Sequence, residues 1–156
     1  MKFLSLNAVY FIVGTLITIQ FVQTSAQSIR KYTFSSQSNF DEYLKAIDVG
    51  MIKRSSISHT KPDVIIETNG RGDYKITLIT SLKTIKISFI LGKQFEADVG
   101  FDTINSYLAS LANENEIVLQ NLDNQSASIG FKFTDNQLEI VYRANGVTGQ
   151  RVFSRA

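Results

Sequence analysis

One cation stands out by where the residue pattern puts it. In the last strand-like run, Val147, Gly149, Arg151 and Phe153 fall on one face, and Thr148, Gln150, Val152 and Ser154 on the other. If the first set points inward, Arg151 is a guanidinium in an apolar interior, where a charge needs a partner. The apolar faces of the two preceding runs, Ala127 to Phe133 and Leu138 to Arg143, offer no carboxylate. A bound ligand could supply one, and a single arginine can hold it through two parallel hydrogen bonds. Equally, Arg151 lies near a strand end and could snorkel to water or pair with a loop acid. Periodicity alone leaves both readings open.

Other chemistry is scarce. The absence of cysteine excludes disulfides, thiolate zinc sites and a cysteine nucleophile. The lone histidine, His59, excludes a multi-histidine metal site and reads as a solvated cap at the end of a helical stretch. There is no Gly-x-Ser-x-Gly elbow and no nucleophile–base set for a hydrolase, so no catalytic residue and no cofactor is expected. Gly70-x-Gly72 lacks the third glycine of a nucleotide loop. The net charge of +2 is spread along the chain and makes no case for nucleic acid. Arg71-Gly72-Asp73 is written in ordinary turn residues. As an adhesion tripeptide it defines the alternative function, an extracellular adhesion or immune-facing protein. Asn124-Gln125-Ser126, at an expected turn tip, is an N-glycosylation acceptor sequence.

The elements that must position these residues follow an N-terminal leader. Lys2 is the only charge before Arg30, Phe3 to Val22 is mostly apolar, and Thr24-Ser25-Ala26 is a small-residue cleavage pattern. The run is also long enough for an uncleaved anchor. Its polar interruptions and the Thr-Ser-Ala site favour cleavage after Ala26, leaving 27–156 as one secreted domain. After Lys31 to Phe34, Phe40, Tyr43, Leu44 and Ile47 share one helical face, with Ser38 as the expected N-cap. Asp48-Val49-Gly50 breaks this region, a second short helix runs from Met51 to Ser58, and Pro62 ends it. Eight β-rich runs then lie between turn signals, the last at Asn145-Gly146. This spacing predicts an up-and-down antiparallel sheet that removes its edges by closing into a barrel.

Arg30-Lys31-Tyr32-Thr33-Phe34 followed by Asn39-Phe40-Asp41-Glu42-Tyr43-Leu44-Lys45 resembles the N-terminal signature of the intracellular fatty-acid-binding proteins. Thr60-Lys61-Pro62, Ile65-Ile66-Glu67 and Ile87-Ser88-Phe89 continue the match in order, and it covers essentially 28–156. The resemblance implies a mainly β fold, a ten-stranded barrel of calycin type capped by a helix-turn-helix. A long-chain fatty acid or other small lipid would lie inside, in a monomer. Such barrels hold the ligand carboxylate with two arginines on neighbouring late strands and a tyrosine two residues after the second. Arg151 matches the second arginine, but Phe153 holds the tyrosine position and Phe131 that of the first arginine. Gln120 matches an interior polar position, and Phe40 and Ile140 complete the expected ligand contacts. Basic residues near the lid, here Lys53 and Arg54, imply transient contact with anionic membranes; a solvated helix face accounts for them equally. The leader places the chain with the family's less common secreted members, as an extracellular carrier.

Overall fold

The computed structural model describes residues 27–156. The expected leader and its cleavage site lie outside the described residues.

The described residues form ten strands: β1 (Ser28–Ser38), β2 (Asp63–Thr68), β3 (Asp73–Ile79), β4 (Thr84–Ile90), β5 (Gln94–Asp98), β6 (Ile104–Asn113), β7 (Glu116–Asn121), β8 (Ser128–Phe133), β9 (Gln137–Ala144) and β10 (Val147–Arg155). Two helices, α1 (Phe40–Ala46) and α2 (Met51–Ser58), connect β1 to β2. All neighbouring strands are antiparallel, and β1 closes the sheet by pairing with both β2 and β10. The product is a nearly closed barrel of calycin type, with the core inside it. At Asn145-Gly146 both residues have positive φ, 50° and 79°, as the tight turn between β9 and β10 requires.

One seam is not hydrogen-bonded. β4 and β5 are the two ends of the sheet order. Stacked rings bridge them: Tyr74 to Phe89 at 5.5 Å, Phe89 to Phe95 at 5.4 Å and Phe95 to Tyr107 at 5.8 Å between centroids. β5 escapes periodicity because its five residues read as an extension of the turn at Leu91-Gly92-Lys93.

The helical lid follows the expected pattern with two corrections. Asn39, not Ser38, is the N-cap; its φ is 53° and it makes no side-chain cap. Its amide instead donates to the Thr148 carbonyl at 2.7 Å, tying the start of α1 to β10. Phe40, Tyr43 and Leu44 are buried, but Ile47 lies just past the helix and is only partly covered. The lid rests on Gly149, where an added Cβ would lie 2.9 Å from the Asn39 carbonyl and 2.9 Å from Tyr43 Cβ. Gly149→Ala should therefore cost about 1–3 kcal/mol by overpacking. Its urea midpoint checks this, and a wild-type value would mean α1 is not seated there.

Candidate functional site

Register places Ile117, Phe131, Ile140 and Arg151 side by side across β7, β8, β9 and β10. All four are buried, and Arg151 is only 3% exposed. Its guanidinium Nη2 donates to the Thr60 carbonyl, with Thr60 Oγ1 at 3.4 Å. The Phe40 ring lies 4.5 Å and the Phe34 ring 5.3 Å from the guanidinium carbon, close enough for cation–π attraction. Among the described residues Nε has no hydrogen-bond partner. The side chain therefore reaches neither water nor a loop acid, and the outward alternative is not realised. Burial pulls the Arg151 pKa down, and nearby Tyr142 partly opposes this. Burial likewise pushes the Tyr142 hydroxyl up to about 12, with Arg151 opposing.

A cavity of about 50 Å³ under the lid is lined by Phe40, Thr60, Leu78, Phe101, Tyr142 and Arg151. It has room for little more than a few water molecules. Rings account for its size: Phe40 and Tyr142 lie 5.0 Å apart, Tyr43 and Tyr142 5.2 Å, and Tyr43 and Phe101 6.0 Å. An acyl chain reaching Arg151 must part these rings. At the opposite end of the barrel a wider opening of about 890 Å³ is bordered by Tyr74, Phe89 and Phe95.

Phe153 is fully buried, its ring edge-on to Phe34 at 6.0 Å. Gln120 is a correction. On β7 the buried residues are Ile117, Leu119 and Asn121, so Gln120 faces outward. Its amide is spent on the carbonyls of Asn121, Gln125 and Ala127, where it ties down the loop after β7. Thr60 and Phe34 are site residues that periodicity missed. Tyr142 is on the apolar face of its strand, and nothing in that pattern separates it from plain core.

The other singled-out residues serve the fold. His59 caps α2, its Nδ1 2.6 Å from the Ser55 carbonyl. Asp73 opens β3, and its carboxylate accepts a hydrogen bond from Asn69 within the turn, which weighs against its use as an adhesion ligand. Lys53 and Arg54 are not simply solvated: Lys53 pairs with Asp102 at 2.7 Å and Arg54 with Asp41 at 3.0 Å. Lys83 also binds Asp102, so α2, the β3–β4 turn and the β5–β6 turn meet in one ion cluster. Hydrogen bonds from Lys53 and then Lys83 hold the Asp102 pKa at about 2. A depressed carboxylate pKa stabilises above the ordinary value, 3.8, and that contribution is lost as pH falls toward about 2. Lid opening measured by hydrogen exchange should therefore be the same for wild type and Asp102→Asn in its change from pH 7.5 to 5. A change in wild type alone would contradict this.

No family model matches the chain. It is 32% identical over 127 residues to fatty acid-binding protein 5 of Pygoscelis papua, covering 81% of this chain and 94% of that protein. The chain belongs to the fatty-acid-binding protein family. The adipocyte fatty acid-binding protein of the same species is 31% identical, over 83% of this chain and 98% of the relative. The fatty-acid-binding protein from brain tissue of Drosophila melanogaster superposes with a TM-score of 0.72 at 28% identity, covering 80% and 95% of the two chains. Within this family frame, Arg151 has Ile140 next to it on β9, Phe131 one strand further on β8 and Phe153 two residues along β10, all buried and apolar.

Proposed function

We propose that this fatty-acid-binding protein is a secreted, monomeric carrier whose lipid lies inside the barrel with its polar head at Arg151. The observation that carries the reading is the buried guanidinium whose Nε has no partner, aligned with Phe131 and Ile140. A ligand carboxylate can take that donor without displacing the Thr60 carbonyl. Phe40, Ile140, Phe131 and Phe153 would cover the adjoining apolar segment. The names of the relatives support a fatty acid or similar single-chain lipid as cargo.

Membrane contact belongs to the same reading. Met51 and Ile52 on α2, Leu82 on the β3–β4 turn and Ile104 at the start of β6 are the most exposed large apolar side chains among the described residues. They surround the lid and offer a small apolar rim to a lipid surface.

Stripped of lipid, the protein should bind a fluorescent fatty acid saturably, one per chain, with an unlabelled fatty acid displacing it. No saturable binding would refute the carrier. Secretion rests on the leader. In secreting cells the protein should appear in the medium with Gln27, or a residue within one or two of it, at its N-terminus. Retention in membranes with Lys2 still present would refute that part.

A further inference from the structure

The loop between β7 and β8 carries the only Asn-x-Ser/Thr sequence of the chain. Asn124 Oδ1 accepts from Ser126 N at 3.2 Å and from Ser126 Oγ at 2.8 Å. Those bonds hold the oxygen and leave Nδ2, the atom that would carry a sugar, without a hydrogen-bond partner among the described residues. A substituent there would break no bond of the fold.

Asn124 also borders a cleft of about 380 Å³ between the α1–α2 turn and the loops after β5, β7 and β9. Tyr43, Asn105, Tyr107 and Asn145 line it with amides and phenols, groups that both donate and accept hydrogen bonds. The charged pair at its rim, Lys53 and Asp102, is mutually neutralised at 2.7 Å. One further carboxylate, Asp48, lines the cleft on the α1–α2 turn. With the amides and phenols it offers acceptors and donors to the hydroxyls of a neutral sugar ring, and ring faces to its apolar side.

The same loop is wired to the lid. The single Ser126 hydroxyl proton is shared between Asn124 Oδ1 and Asn145 Oδ1, each 2.8 Å away, Asn145 N donates to Ser126 Oγ at 3.0 Å, and Asn145 Nδ2 donates to the Ala46 carbonyl at the end of α1 at 2.8 Å. We propose that Asn124 carries an N-linked glycan whose first sugar lies in this cleft and braces the α1–α2 turn against the barrel. The proposal rests on the secretory reading above, because the donor is met only on that route. In the attachment, Asn124 Nδ2 bonds to the anomeric carbon of a lipid-pyrophosphate-linked oligosaccharide. The anomeric carbon–oxygen bond breaks, Nδ2 loses one proton, and the lipid pyrophosphate leaves. Tethering makes the cleft contact intramolecular, so weak hydrogen bonds suffice to populate it.

The test expresses the full chain in secreting eukaryotic cells beside Asn124→Gln, with part of the wild-type protein trimmed to a single sugar by an endoglycosidase. Peptide mass reads occupancy at Asn124. Hydrogen exchange over residues 46–53 and release of a fluorescent fatty acid read the brace. The glycosylated and single-sugar forms should both release lipid about fivefold more slowly than Asn124→Gln, the factor one net hydrogen bond supplies. Exchange over 46–53 should slow with it. Secreted protein without sugar at Asn124 overturns the proposal and leaves secretion standing. Retention with the leader intact overturns both. A glycosylated protein with exchange and release equal to the single-sugar form and to Asn124→Gln overturns the brace.

Discussion

Truncating Phe40 to alanine is expected to destabilise the protein by about 3–5 kcal/mol. Phe40 is 2% exposed and opens α1. Its ring packs on Tyr43 and Tyr142 and covers the Arg151 guanidinium. Alanine would leave a void under the lid and strip one aromatic face from a buried cation. Domains of this size are stable by only about 5–15 kcal/mol, so the loss is large. The urea midpoint with its slope gives the measurement. Phe40→Leu should retain most of the packing and lose mainly the cation–π part, about 0.5–2 kcal/mol. A loss below about 1 kcal/mol for the alanine variant would place the residue with ordinary surface positions.

The second large effect concerns affinity. Arg151→Leu should weaken binding of a fatty acid by about 1.5–3 kcal/mol, the scale of a hydrogen bond to a charged group. The methyl ester has no charge to pair and should lose much less. The preference should stay modest because Phe131 and Phe153 supply no further donor beside Arg151. Stability without lipid should hold or rise, since an apolar side chain replaces an incompletely partnered buried cation. Titrating both proteins with both ligands decides the matter. Equal affinities throughout would remove Arg151 from any head-group role.

Much of this was legible because alternation is a local property. Val147, Gly149 and Phe153 put Arg151 on one face of β10, but only the fold decides that this face is the inner one and that the guanidinium stays buried there. The helix pair is written in Phe40, Tyr43 and Leu44 and in the break after Ala46. The family position puts Gln120 inside the barrel, whereas the chain's own alternation, with Ile117 and Leu119 on the other face, puts it outside. Thr60 could not be found that way. It lies in a linker with no period, and only the folded path from α2 to β2 brings its carbonyl to Arg151. The ion cluster has the same character. Lys53, Lys83 and Asp102 come from three elements whose meeting no local pattern encodes.

The seam between β4 and β5 bears on how the barrel accommodates a lipid. Everywhere else, widening the wall means breaking backbone hydrogen bonds in register. At this seam the contact is made by ring faces, Phe89 on Phe95, which tolerate offset stacking and have no fixed register. The Leu91–Lys93 turn, closed by Lys93 N to the Ile90 carbonyl at 3.1 Å, pins the two edges at one end, so beyond it they can splay apart while every backbone pairing in the sheet stays intact. In its wiring the barrel is less a closed can than a rolled sheet hinged at one end of its seam. Its bore is adjustable in one direction, and cargo of different girth could be taken up without unfolding a strand.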